Sequence, residues 1–380
     1  MKHNTKFRIA MIGQKRVPSR DGGVEIVVWE LAKRLRDLGY EVDCYNRYNK
    51  SVKPSEEYER IPGRHGWYKD GIRIITVPTF KNGKLNAIVY SFLATVRALF
   101  GNYDVIHFHA EGPCLMIPIA KFFGKRCIAT IHGLDWQRAK WGNFASKMLQ
   151  KGERTAALHA DEVIVLSKNV QDYFKDKYHR DTHFIPNGIA KPQKAEPNEI
   201  TTKFGLDGDD YILTLSRIVP EKGIHYLLHA FKNIDTDKKL VIAGGASNAA
   251  EYMEEIKTLA AQDSRVVLTD FIHDRTLQEI CSNAYVYCLP SDIEGMSISL
   301  LEMMSYGTCC LVSDIDENME VVEEMAVSFS KGNESDLQDK LTYLIRNPEI
   351  VAEYRKKSSG FICSKYNWDD VVRDTIKLYR

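Results

Sequence analysis

An α/β architecture of two doubly wound halves is predicted by three observations on the 380-residue chain. Short apolar runs alternate with stretches of helical period, the signature of parallel strands joined by helical crossovers. The alternation stops once, in a Lys/Pro/Glu-rich stretch at 190–198, and then restarts. The composition, 44% apolar and 27% charged, is that of a soluble globular protein long enough for two full cores.

The first half opens with an apolar run at 7–13 ending in Gly13. A helical period follows at 24–38, and strand character resumes at 41–45. Further strands are expected at 72–77, 105–109, 127–132, 162–166 and 183–185. Pro186, Asn187 and Gly188 then form a turn into the linker. The second half repeats the scheme with strands at 211–216, 240–245, 266–268, 284–289 and 309–312. A last helical stripe carries Val371, Val372, Ile376 and Tyr379. The pattern gives two Rossmann-like domains, 1–190 and 191–365, with a cleft between them and a terminal segment, 366–380. No internal repeat or low-complexity tract interrupts it.

Bulk properties exclude several classes. Arg97 breaks the apolar stretch 87–100 and Lys121 breaks 114–123, so no segment reads as a bilayer span. The eight cysteines contain no C-x-x-C pair and no signal peptide precedes them, which reads as reduced thiols in the cytoplasm. Cys309 and Cys310 read as a small apolar pair in a buried strand. The net charge of +1 hides an asymmetry: residues 1–190 carry 31 Lys/Arg against 19 Asp/Glu, and residues 191–380 carry 21 against 32. A basic first half invites an anionic surface, either the inner leaflet of a plasma membrane or a lipid diphosphate. Lys81, Lys84, Arg97, Lys121, Lys125 and Arg126 flank the two apolar stretches that would rest on it, although packing helices explain those stretches equally well. The acidic second half disfavours nucleic acid.

Four motifs carry candidate chemistry. Glu294 lies in a loop after the strand at 284–289, and Glu302 lies eight residues on in a helix marked by Ile298, Leu301 and Met304. Backbone N–H groups of Met296, Ser297 and Ile298 at the start of that helix suit a phosphate. Carboxylates that accept from hydroxyls, beside amides that hold a diphosphate, suit a sugar nucleotide. Arg217 and Lys222 follow the first strand of the second half, where two cations can stabilise a departing diphosphate. Gly22 and Gly23 end a glycine-rich loop that is not G-x-G-x-x-G, which disfavours a dinucleotide-dependent dehydrogenase. They let backbone approach a phosphate or sugar, or they are turn formers. Finally, His107, His109 and His132 gather at strand ends; His107 and His109 share a strand face, but spacing indicates no third metal ligand.

The spacings of Glu294 with Glu302 and of Arg217 with Lys222 resemble the E-x7-E and R-x4-K signatures of retaining glycosyltransferase family 4, with the GT-B fold. The resemblance implies that the terminal helix returns to the N-terminal domain. It also implies catalytic roles for His132, Arg217, Lys222 and Glu294. Glu294 would meet the transferred sugar, Glu302 the ribose, and His132, in a T-x-H-G context, the donor sugar. Gly22, Gly23, Met296, Ser297 and Ile298 would complete the donor site, with the Phe271-Ile272 backbone at the nucleobase. His109, second to His132 for the donor sugar, would with Glu111 and Asp135 serve the acceptor, Asp135 or Glu111 alternatively orienting His132. The expected reaction moves a sugar from a nucleotide diphosphate sugar to a glycan or polyprenyl-diphosphate-linked acceptor, in bacterial-type surface polysaccharide synthesis. Neither cofactor nor metal is expected. A sugar-nucleotide 2-epimerase of the same architecture and a nonenzymatic nucleotide-sugar sensor are the alternatives. Asp270, Met303 and Cys309 depart from the usual Gly, Ala and Pro of the family pattern, which bears on nucleobase and donor identity more than on the reaction.

Overall fold

The computed structural model describes residues 6–49, 55–63, 65–80, 86–137, 142–245 and 249–380. Lys81 and Lys84 lie outside them. The chain forms two compact units, the first running through Gly188 and taking in Trp368–Arg380, the second Ile189–Asn367. Each has the Rossmann-like character of a parallel sheet covered by helices.

In the first unit the strands are β1 (Arg8–Ile12), β2 (Glu41–Tyr48), β3 (Trp67–Lys69), β4 (Ile72–Pro78), β5 (Val105–His109), β6 (Arg126–Ile131), β7 (Glu162–Val165) and β8 (His183–Phe184). They lie in the order β3-β4-β2-β1-β5-β6-β7-β8, all parallel except the β3–β4 pair. β1 and β5 are buried along almost their whole length, so they read as continuous apolar runs and not as alternation. One core cluster joins Ile12, Tyr45, Ile106 and Phe108 of the sheet to Tyr90, Ala94 and Ile117 of the helices.

The second unit holds β9 (Tyr211–Leu215), β10 (Lys239–Ala243), β11 (Val266–Leu268), β12 (Val286–Leu289), β13 (Cys309–Ser313) and β14 (Val327–Phe329). Their order is β11-β10-β9-β12-β13-β14, parallel throughout. Ile212, Leu240, Ile242 and Leu311 pack there against Leu227, Phe231, Ile256 and Leu341. Cys309 and Cys310 are buried within β13, and all eight cysteines are free thiols. Two strands escaped the pattern analysis: β3 and β14 are three-residue edge strands that lack a continuous apolar run, unlike the equally short β11.

The stretch after Gly188 is strapped to the second unit. The Glu279 carboxylate accepts from the backbone N–H groups of Asn198, Glu199 and Ile200, capping the helix Glu199–Phe204. Ser282 and Asn283 hold Ala195 by its N–H and carbonyl. Polar composition here marks a hydrogen-bonded strap.

The terminal helix Trp368–Tyr379 belongs to the first unit. Trp368 covers Gly188 so closely that a Cβ there would sit 2.5 Å from the indole, and the Arg34 guanidinium lies 4.7 Å above the ring. At the other end, Arg126 donates to the Leu378 carbonyl at 2.8 Å and the Tyr379 hydroxyl lies 2.9 Å from His107 Nδ1. No described helix is long and apolar enough to cross a membrane. Truncating Trp368 to Ala removes this buried anchor, and urea unfolding should show a loss of about 3–5 kcal/mol; an unchanged midpoint would mean the helix is held elsewhere.

Candidate active site

Strand order reverses in the second unit between β9 and β12: the chain leaves β9 for β10 on one side and returns to β12 on the other. Loops leaving the carboxyl ends of two such strands diverge and open a crevice. Both motifs of that half sit here, Arg217 and Lys222 after β9 and Glu294 after β12.

Close backbone contact joins the two loops. Gly223 has φ +63°, and a Cβ on it would lie 2.0 Å from the Pro290 carbonyl oxygen, so only glycine fits. Asp292 N–H donates to the Glu221 carbonyl at 2.9 Å. Across this seam Lys222 Nζ forms an ion pair with Glu294 Oε1, the side chains being 12% and 6% exposed. The same carboxylate oxygen accepts from Ser291 Oγ at 2.7 Å. Ser291 is itself fixed through its carbonyl, which accepts from Ser313 Oγ at the end of β13. Asn318 donates to the Ser313 carbonyl and lies 3.1 Å from its hydroxyl. Nothing in the sequence pointed to Ser291, Ser313 or Asn318, since short polar side chains in loops are common.

The helix after Glu294 runs Ile298–Ser305, and Ser297 caps it by accepting from Leu300 N–H at 3.3 Å. The amides of Ile298 and Ser299 head the helix and have no intrahelical acceptor. Met296 and Ser297 are buried, and Glu302 is half-buried one turn on. After β10, Gly244 has φ +142° and passes the Ser216 carbonyl so closely that a Cβ would lie 1.8 Å from it. Gly245 lies under the Phe271 ring, 2.9 Å from an added Cβ. Ile272 follows, half-buried. Asp270, standing where glycine is usual, has φ +55°: the left-handed conformation is kept, and Asp tolerates it better than most residues.

In the first unit the reversal falls between β1 and β5. Gly13 has φ +143°, with a Cβ position 2.1 Å from the His109 carbonyl oxygen, so the loop 13–22 starts directly against the end of β5. Buried groups hold this loop from below. Asn46 accepts from Val17 N–H at 3.1 Å and donates to its carbonyl at 2.8 Å, while the Tyr58 hydroxyl donates to the same carbonyl. Glu25 accepts from Lys15 N–H at 2.7 Å. Gly22 caps the helix Gly23–Asp37, Gly23 is exposed, and a Cβ on Gly22 would meet the Glu25 carboxylate at 2.6 Å.

The three histidines form one group. His109 Nδ1 lies 3.2 Å from His132 Nε2, and the His107 and His109 rings stack with centroids 4.2 Å apart. Burial pulls the His107 imidazole down to about 3, aided by His132, and burial with both neighbours holds His109 well below its ordinary range. His109 and Glu111, expected at the acceptor, have no exposed surface. Asp135 is half-buried at the head of a single turn, Asp135–Gln137. That turn is pinned by Trp136, whose indole N–H donates to Glu153 Oε2 at 2.9 Å. The buried Glu153 carboxylate also accepts from Tyr173, Lys177 and Tyr178. Among the described residues no three His, Cys, Asp or Glu side chains gather as a metal site.

Four of the basic residues that flank the apolar stretches are engaged. Lys121 pairs with Asp161 at 2.6 Å, Arg126 with Glu162 at 3.3 Å, and Arg97 donates to the Thr76 carbonyl. Lys125 bridges the carbonyls of Gly101 and Tyr103.

Residues 21–191 match Glycosyltransferase Family 4, and residues 198–361 match the glycosyl transferases group 1. The alpha-maltose-1-phosphate synthase of Mycolicibacterium smegmatis is 24% identical over 98% of this chain and 99% of its own length. Sucrose-phosphate synthase from Thermosynechococcus elongatus superposes with a TM-score of 0.84 at 21% identity, covering 99% of this chain and 98% of that one. Anabaena HepE, solved with UDP-glucose, gives a TM-score of 0.78 at 15% identity, covering 97% and 98%. Both structural likenesses show a common fold.

The buried ion pair makes a stability prediction. Lys222→Met strands the Glu294 carboxylate without its cation and should cost about 3–5 kcal/mol in urea unfolding. Adding Glu294→Gln removes the stranded charge and should recover most of that loss. Equal losses in the single and double variants would show that the pair does not join the loops.

Proposed function

Because the chain belongs to the family 4 glycosyltransferases, enzymes of the GT-B fold, we propose that it transfers a hexosyl group, with retention, from a nucleoside diphosphate sugar to a hydroxyl of a glycan or lipid-linked glycan. The observation that carries this reading is the Lys222–Glu294 pair at the strand-order reversal, with Ser291 on the carboxylate. Each partner fits one half of a sugar nucleotide. The ammonium passes to the diphosphate, and the released carboxylate accepts from sugar hydroxyls.

In the proposed course the acceptor oxygen attacks the anomeric carbon on the face the diphosphate leaves. The carbon–oxygen bond to the diphosphate breaks as the new glycosidic bond forms, and the acceptor proton passes to a diphosphate oxygen. Lys222, Arg217 and the amides of Ile298 and Ser299 stabilise the charge that develops there. Glu302 takes the ribose hydroxyls and the Ile272 backbone the base. His132 donates to the transferred sugar. Gly22 and Gly23 give backbone access, and Asp135, on its pinned turn, serves the acceptor. In this course Arg217 and Lys222 serve the diphosphate in place of a metal.

The acceptor divides into two candidates. A lipid-linked glycan at the inner leaflet, in bacterial-type surface polysaccharide synthesis, is supported by exposed aromatics: Phe100 is 87% and Phe122 85% exposed, with Phe123 edge-on to Phe122 and Lys125 spanning to Gly101. A soluble sugar phosphate is supported by the names of two relatives, a maltose-1-phosphate synthase and a sucrose-phosphate synthase.

Thermal-shift screening across UDP-, dTDP- and GDP-sugars should identify one donor that raises the melting temperature, starting from UDP-glucose, which HepE binds. Transfer from that donor should survive EDTA and give a product whose anomeric proton coupling matches the donor. Glu294→Gln should lower kcat by about 10²–10³-fold. An epimer formed from donor alone, or an inverted product, would overturn the reading. For the acceptor, the full-length protein should sediment with anionic vesicles at low salt, and Phe100→Ser/Phe122→Ser should release it. No sedimentation would favour the soluble sugar phosphate.

A further inference from the structure

We propose that His109 is a positioning residue that holds His132 as a neutral imidazole protonated on Nδ1. The inference rests on the reading in which His132 meets the transferred sugar, and it adds which atom of the ring carries the proton there.

The argument starts from hydrogen-bond capacity. His107 and His109 point to one face of β5, and both nitrogens of His107 are engaged: Nδ1 with the Tyr379 hydroxyl at 2.9 Å and Nε2 with Thr130 Oγ1 at 2.7 Å. His107 cannot rotate, and its ring is the floor on which His109 stacks. His109 has no exposed surface; its Nδ1 lies 3.2 Å from His132 Nε2, and its own Nε2 is buried with no hydrogen-bond partner among the described residues.

A neutral imidazole carries one proton, so His109 has two choices. A proton on Nε2 would bury a donor with nothing to receive it, the rarest kind of unsatisfied group in native interiors. A proton on Nδ1 leaves only an unused lone pair at Nε2, a milder defect, and donates to His132 Nε2. The second arrangement commits the Nε2 lone pair of His132, so the proton of His132 must sit on Nδ1. Free imidazole side chains prefer the opposite tautomer, so the neighbour imposes this one. Protonating His132 would set one N–H against another, so it stays neutral. Its Nδ1 is then a donor, and it cannot act as a base through Nε2. That fits a reaction in which the leaving diphosphate receives the acceptor proton.

Long-range proton–nitrogen correlation on the full-length, nitrogen-15-labelled protein at pH 7 reads this directly, with His132 assigned by the signal lost in His132→Gln. The expected pattern is a protonated Nδ1 and an unprotonated Nε2. An Nε2-protonated or doubly protonated His132 overturns the proposal on the wild-type protein alone, whatever the variants do. In His109→Leu the pattern should revert to Nε2-protonated, with kcat about tenfold lower and the donor KM within twofold. His109→Asn keeps an N–H near Nδ1 and should restore both. An unchanged pattern in His109→Leu also overturns the assignment. If the pattern shifts as expected while transfer stays at the wild-type rate, the tautomer assignment stands and the placement of His132 at the donor sugar fails.

Discussion

The reversal of strand order in each sheet is the constraint from which the candidate chemistry follows. Right-handed crossovers send the chain one way from the first strand of a unit and the other way after it returns. The loops leaving the two central strands therefore cannot be covered by a crossover between them. In the second unit those loops are 216–223 and 290–297, and they carry a cation and a carboxylate that meet. In the first they are 13–22 and the segment after His109, in contact through Gly13. At the strand ends a glycine stands where these loops pass other backbone, at Gly13, Gly223 and Gly244, and each has positive φ.

The central strands were legible because burial on both faces writes them as unbroken apolar runs. The interior helix patterns were legible for the complementary reason, one wet face each. Edge strands β3 and β14 were not: Trp67-Tyr68-Lys69 and Val327-Ser328-Phe329 mix polar with apolar residues, whereas the equally short β11, Val266-Val267-Leu268, is apolar throughout. Among candidate site residues, Arg217, Lys222, Glu294 and Glu302 stood out because spacing and family resemblance agree there. Burial was beyond reach: His109 and Glu111 look like acceptor residues on paper and lie wholly inside. So was the anchoring of the linker, whose polar composition does not reveal that Glu279, some eighty residues away in sequence, supplies the acceptor for its last amide and the next two.

Much of the polar machinery sits one layer under the residues that would touch substrate. Asn46 shapes the glycine loop, Glu153 collects four donors beneath the turn that carries Asp135, and Ser313 with Asn318 steadies Ser291. Each is a buried group with its hydrogen bonds made, and a well-satisfied network of this kind rigidifies what it supports. Such residues leave no periodic trace, because their partners are distant in sequence and their chemistry is that of any loop.

The Lys222–Glu294 pair has a kinetic meaning as well. Seen from beyond a Debye length, the ammonium and carboxylate cancel, so this cation draws no anionic donor from solution. In the proposed course recognition begins only on contact, when the diphosphate displaces the carboxylate and the carboxylate finds hydroxyls in exchange. A bare nucleoside diphosphate can make the first half of that trade but not the second. The sugar that is about to leave is therefore what completes the donor's own binding.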